Sequence, residues 1–452
     1  MKQSRRRTIA SWLIFILASS LLFLGFYRDQ WQMARPKKFS IFQKDVEAYV
    51  IGRLVLARQS GIFSNGGLLG WGDVDGTRMS DIGDADYQHQ YDTYLNGLTF
   101  KSYLAKQSHP GFQAIFFSAL DRISPLGPSY NLRLFRMLTA GLFALTLGGV
   151  LLWFLWELGW LPAILVFASI LVSQWMTLFG RNLFFVAGFF YLPMLALLFA
   201  LYRQRPGSLP SRGSVFWIVF STLLLKCLFN GFDFILPALC MAATPLVYYG
   251  VRDRWNRDVF LSRFMIAVLA ALAAIFVSLV ILSIQVMYAS GSFAQGIGSI
   301  LGTVNRRILV SDPNLVSLYA QAKNASMGSI LKIYLTESYF DRYTVPYFVI
   351  ILLFAVVSVA QILLERKQPA QTSFKGYALI AATWFSLLGP LSWYTIFKSV
   401  AYFHTHMNYL PWHMPFTLFG FGLCGFFLRS LFGRLNWENL NPAIHGRSKQ
   451  SH

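Results

Sequence analysis

Residues 264–287 read FMIAVLAALAAIFVSLVILSIQVM, 24 side chains with no charge among them. As an α-helix at 1.5 Å per residue this run reaches about 36 Å, enough to cross the roughly 30 Å of hydrocarbon in a bilayer. Lipid offers no water to backbone N–H and C=O groups, so such a run crosses as a helix. Comparable stretches lie on both sides of it, at 9–26, 137–157, 160–176, 183–202, 215–229, 233–250, 345–364, 377–396 and 409–428. Composition agrees: the chain is 55% hydrophobic, 17% aromatic and 13% charged, with mean hydropathy +0.49, outside the range of ordinary soluble domains. The expected fold is an all-α polytopic membrane protein, a single transmembrane domain over 1–452 with about ten spanning helices.

A net charge of +20 would suggest nucleic acid in a soluble protein, but here it follows topology. With Lys2, Arg5, Arg6 and Arg7 holding the N-terminus in the cytoplasm, the inner loops carry Arg203, Arg205, Arg212, Arg252, Arg254, Arg257, Arg263, Arg366, Lys367 and Lys375. The tail adds Arg429, Arg434, Arg447 and Lys449, whereas the short outer loops hold only Arg181 and Lys398. This asymmetry predicts both termini inside and no nucleic-acid partner. Fourteen of the 19 acidic residues fall outside, chiefly from Asp29 to Asp121, so chemistry is expected on that face. Cys227, Cys240 and Cys424 lie in apolar runs without metal or disulfide spacing. The basic lead of the first span resembles a cleaved signal, yet Tyr27 to Lys38 lacks a small-x-small cleavage site, and the span is read as an anchor.

Two outer segments are long, 28–136 and 288–344, and long ordered loops usually carry function. In the first, Val46, Tyr49, Val50, Leu54 and Ala57 recur at helical spacing, which predicts an amphipathic interface helix from Asp45 to Arg58 ended by Gly61. Asn65 to Asp92, rich in Gly and Asp, reads as an irregular loop. Residues 112–123 form a second amphipathic segment, too short to span, with Pro125 and Pro128 beyond it. No internal repeat of the kind found in many transporters is present.

Asp45 and Glu47 are candidates for a general base; the plainer alternative is acids opposing a helix macrodipole. His109-Pro110 opens the second short helix. Arg181-Asn182 sits in a tight outer turn, where a guanidinium holds either a lipid phosphate or ordinary headgroups. Lys226 lies within a span and Asp233 follows across a turn, a functional pair or a neutralising ion pair. Arg306 and Arg307 are phosphate ligands or solvated charges. His404 and His406 are at i and i+2, with no third ligand at fixed spacing, which favours substrate hydrogen bonding over metal. Walker, dinucleotide and hydrolase motifs are lacking.

Lys-Asp-Val-Glu-Ala-Tyr at 44–49, His-Pro-Gly-Phe at 109–112, Asn-Leu-Arg-Leu-Phe-Arg at 131–136, and Arg181-Asn182 followed by Pro193 together cover the first half of the chain. They resemble the GT-C superfamily of integral-membrane glycosyltransferases, which includes protein O-mannosyltransferases and aminoarabinose transferases. Two departures stand out: Val46 separates acids that are adjacent in many relatives, and Gly111 replaces the second Pro of the family's His-Pro-Pro-Leu. The resemblance implies Asp45 as catalytic base, a sugar on a polyprenyl phosphate as donor, a periplasmic acceptor, and transfer at the outer face of a bacterial inner membrane. Some relatives recruit a divalent cation; this sequence neither demands nor excludes one. The alternatives are a transporter or flippase of lipid-linked glycan, and a polysaccharide-polymerase-like protein.

Overall fold

A computed structural model describes residues 2–74, 83–204, 209–304, 324–339, 345–366 and 374–440. Almost all of it is helical. In chain order the helices are α1 (Lys2–Arg28), α2 (Pro36–Ser60), α3 (Asp84–Leu95), α4 (Phe112–Ile123), α5 (Pro128–Leu158), α6 (Trp160–Leu171), α7 (Gln174–Gly180), α8 (Gly188–Tyr202) and α9 (Arg212–Asn230). There follow α10 (Ile235–Arg252), α11 (Arg257–Ser290), α12 (Phe293–Val304), α13 (Met327–Thr336), α14 (Tyr347–Arg366), α15 (Lys375–Ser386), α16 (Leu388–Ile396), α17 (Lys398–Phe403) and α18 (Phe416–Leu440). One two-stranded antiparallel ribbon, β1 (Gly70–Gly72) against β2 (Tyr103–Ala105), lies between α2 and α4.

Among the described residues seven helices or continuous helix pairs are long and apolar enough to cross a membrane: α1, α5, α9, α10, α11, α14 and α15 with α16. The other three apolar stretches are shorter or broken. Residues 160–176 form α6 and α7, bent by 69° at Val172-Ser173. The break is capped, because the Ser173 hydroxyl accepts from the Met176 N–H. α8 and the apolar part of α18 are short apolar helices. Each apolar stretch is thus a helix, and the chain is an all-α polytopic membrane protein.

Helix ends gather in two places. Around Glu157 at the end of α5, the carboxylate accepts from the Tyr248 hydroxyl at 3.0 Å and pairs with Arg252 and Lys375, each at 3.1 Å. Arg429 donates to the neighbouring Leu158 carbonyl, so the ends of α5, α10 and α15 meet there beside the middle of α18. Near the other end of α5, Arg136 pairs with Glu47 of α2. The 21 residues between Arg136 and Glu157 span about 32 Å of helix, close to the thickness of a hydrocarbon core.

α2 is longer than its amphipathic pattern implies and is not an open surface helix. Pro36 starts it in the first turn, and Gly61 at φ 97° ends it. Ala48, Val50, Ile51, Arg53 and Leu54 are all buried, because α3, α4 and the ribbon fold over the helix. Glycine allows that roof: a Cβ at Gly70 would overlap the Leu104 carbonyl, and one at Gly72 the Phe100 ring. The roof is tied down by Arg58 of α2, which grips Asp121 of α4 through two bonds of 2.6 and 2.9 Å. Tyr94 and Asn131 add 2.5 and 2.7 Å bonds to the same carboxylate.

Candidate functional site

Asp45 and Glu47 are two residues apart on one helix and so point in different directions. Glu47 points into the protein and is fully buried. Its carboxylate accepts from Arg136 Nη2 at 2.5 Å and Nε at 3.1 Å, from the Tyr91 hydroxyl at 3.0 Å and from the Leu183 N–H at 3.2 Å. These bonds join α2, α3, α5 and the α7–α8 turn. A carboxylate with every lone-pair direction engaged is a clamp, and no acceptor hydroxyl reaches it without displacing a partner.

Asp45 is different. Its side chain is 33% exposed, and one oxygen accepts from the Val46 N–H at 2.6 Å. The other stands 4.0 Å from Nε2 of His406, which the turn after α17 brings in from the far end of the sequence. Burial raises the Asp45 pKa to about 6, against the opposing effects of the Val46 N–H and of the Lys106 charge. His406 is pushed below its ordinary value, first by burial and then by the charge of Lys38. Asp45 therefore changes charge close to neutral pH, and His406 is driven toward its neutral form.

Aromatic rings and cations line the surroundings of Asp45. Tyr49, one turn on along the same face of α2, stacks on Trp71 at 4.0 Å between centroids, and Trp71 meets Tyr87 at 6.1 Å. The Tyr87 hydroxyl is raised by burial and then by the charge of Asp45. Lys106 lies 3.9 Å over Tyr49 and 4.8 Å from the centre of Phe184; Lys38 lies 4.0 Å over Trp175 and donates to Gln174 at 2.9 Å. Cations resting on ring faces keep their charge while partly desolvated, which is a usual way to present positive charge to an anion. Tyr49 closes the motif at 44–49, whereas Lys106, Lys38, Trp71 and Tyr87 carry no motif, and nothing in their spacing announces that they meet.

The remaining candidates occupy supporting positions. His109 is buried against Phe184, and its Nδ1 accepts from the Gly111 N–H. It packs against Gly231, where a Cβ would meet the imidazole at 2.5–3.0 Å. Arg181 donates to the Tyr27 carbonyl at 3.0 Å and lies over Phe39, fastening the end of α1 to α2. Asn182 is buried, its Oδ1 accepting from the N–H groups of Phe184 and Phe185. Lys226 is buried and donates to the carbonyls of Gly231 and Asp233 at 2.9 and 2.7 Å, so it closes the α9–α10 turn through the backbone. His404 is exposed beside His406, ring centres 5.7 Å apart. Arg306 and Arg307 lie outside the described residues. Among the described residues no three His, Cys, Asp or Glu side chains gather as metal ligands would.

His413, which sequence reasoning passed over, is fully buried and holds the α6–α7 break. Its Nε2 lies 3.2 Å from the Ser173 hydroxyl and 3.1 Å from that of Tyr347, and its Nδ1 lies 3.1 Å from the Thr417 hydroxyl. A lone His in an apolar run was the only signal.

Fold and site together define the class: a polytopic membrane protein with a partly exposed carboxylate, Asp45, set among cations and aromatic rings. The chain matches no protein-family model, no curated protein and no solved structure.

Proposed function

We propose that this chain is an integral-membrane glycosyltransferase that moves a sugar from a polyprenyl-phosphate-linked donor to a hydroxyl on a periplasmic acceptor. It works in a bacterial cytoplasmic membrane as a ten-span protein with both termini in the cytoplasm. The two gatherings of helix ends support that topology. Arg252 and Lys375 at Glu157 and Arg429 at the next residue, Leu158, are the cations that the charge rule assigns to the cytoplasm, while Asp45, Arg181 and His406 belong to segments assigned to the outside. The bent α6–α7 pair, α8 and α18 then supply the third, fourth and tenth crossings.

The observation that carries the reading is Asp45: a carboxylate one-third exposed, with pKa near 6, facing Lys106 and His406. An unpaired structural acid at a surface has no need of such surroundings. A general base has, since its pKa must lie near the working pH. The acceptor hydroxyl gives its proton to Asp45 as its oxygen attacks the anomeric carbon, and the donor phosphate leaves with the bonding electrons. Lys106 is placed to stabilise the charge that develops on that phosphate, in a setting where a fixed cation is worth more than in water. Arg181 and Lys226 act through position, the first by orienting α1 on α2 and the second by holding the turn beside His109.

The test is donor turnover by purified protein in detergent, read as release of polyprenyl phosphate from a polyprenyl-phosphate sugar. Transfer needs no sealed compartment, so a protein that acts only in intact vesicles is a transporter and the proposal fails. Asp45→Asn is expected to lower turnover by at least about 100-fold, the usual contribution of a general base. Full activity in that variant removes Asp45 from the chemistry.

A further inference from the structure

We infer that His406 takes the proton that Asp45 collects and passes it to solvent, so that the last hairpin completes a base built on α2. The inference deepens the transferase reading and rests on it. Asp45 Oδ2 and His406 Nε2 are 4.0 Å apart across two elements with no sequence proximity. That is beyond hydrogen-bond length but within ion-pair distance, and apo catalytic contacts are commonly this loose. The His406 side chain is 47% exposed, against 33% for Asp45, so it is the more open of the two to water.

The groups facing the pair bear on both halves of the relay. Burial and then the charge of Lys38, from the start of α2, hold His406 below its ordinary value, so an imidazolium formed there passes its proton readily on to water. Lys106, after β2, favours the ionised carboxylate and so favours release of its proton. Glu47 acts on Asp45 in the opposite sense, but its own charge is held by Arg136. Tyr87, from α3, is raised by burial and then by Asp45 and stays protonated, so it is no competing acceptor. His404 lies 5.7 Å from His406, ring centre to ring centre, on the exposed side. In the step itself, the acceptor O–H bond breaks and its proton bonds to Asp45 as the new glycosidic bond forms. The proton then moves from Asp45 Oδ2 to His406 Nε2, and the imidazolium loses a proton to water, restoring both groups without any other reactant.

Two measurements test this, one independent of turnover. Dicyclohexylcarbodiimide modifies protonated carboxyls, so the extent of Asp45 modification, followed by mass spectrometry from pH 4.5 to 8.5, titrates that residue in the purified protein. Replacing His406 with Gln removes the proton acceptor whose imidazolium opposes protonation of Asp45, and the midpoint is expected to rise by about half a unit. The second is kinetic: His406→Ala is expected to lose about tenfold in kcat with KM unchanged, and added imidazole to restore it, while Asp45→Asn is not rescued. An unmoved carbodiimide midpoint, or a His406→Ala enzyme within twofold of wild type, overturns the inference. Lack of donor turnover by the wild-type protein defeats the transferase reading separately; the carbodiimide titration still decides whether the two side chains share a proton.

Discussion

Replacing Glu47 with Ala separates the two acids that the sequence places side by side. The change removes one member of a buried ion pair and leaves the Arg136 guanidinium, 22% exposed, without its carboxylate. It also strips the Tyr91 hydroxyl and the Leu183 N–H of their acceptor. Breaking a buried pair in this way costs about 3–5 kcal/mol, and the orphaned donors belong to the same loss rather than adding to it in full. Measured against a total stability of about 5–15 kcal/mol for a typical domain, that is a severe effect. Buried Cys227 and Cys424 supply the assay: a thiol-reactive fluorophore reports their exposure as detergent-solubilised protein is heated. Glu47→Ala is expected to melt far below wild type, and the double variant Glu47→Leu with Arg136→Leu to recover much of the loss, since an apolar pair of similar volume is often no worse than the ions. A Glu47→Ala protein that melts like wild type yet is inactive would place Glu47 in the chemistry and refute the clamp.

Further expectations follow from the same geometry. Asp45 has its folded pKa raised to about 6 from an ordinary 3.8, so the folded state binds the proton more tightly than the unfolded one. The ionised residue is therefore a stability cost that is absent below about pH 4, grows through the interval and is complete above about pH 6. Asp45→Asn is thus expected to raise the melting midpoint at pH 7.5 and to leave it unchanged near pH 4, while abolishing turnover; equal shifts at both pH values would remove the titration argument. Wild-type turnover itself is expected to fall as pH drops through about 6, where the base becomes protonated. Asp121→Ala, which strands Arg58, Tyr94 and Asn131, is expected to cost about 2–3 kcal/mol by the same melting assay. Gly70→Ala is expected to dislodge the ribbon from α2 and expose the neighbouring loop to limited proteolysis, a cleavage pattern absent from the wild type.

The sequence by itself determined the class and the location of the apolar helices, but not α3, because Asp84–Leu95 is a polar helix within and beyond a stretch, Asn65 to Asp92, that reads as an irregular loop. A hydrophobic run longer than the bilayer is thick has one outcome in lipid, because unpaired peptide groups there are so costly. It also singled out Asp45 and His406, as an acid after the first span and a polar motif near the last. Tertiary structure decided which of those residues come together. Asp45 and Glu47 differ only by rotation around α2, and which one turns inward depended on Arg136, Tyr91 and Leu183, drawn from three other elements. Lys226 and Asp233 are seven positions apart in one dimension, and only the folded turn shows that the ammonium binds the Gly231 and Asp233 carbonyls. Lys106, Trp71 and Tyr87 join Asp45 only because the glycine-rich ribbon folds back over α2. Burial and pairing energies depend on distances in space, and residues 361 positions apart, such as Asp45 and His406, acquire a distance only once the helices have packed.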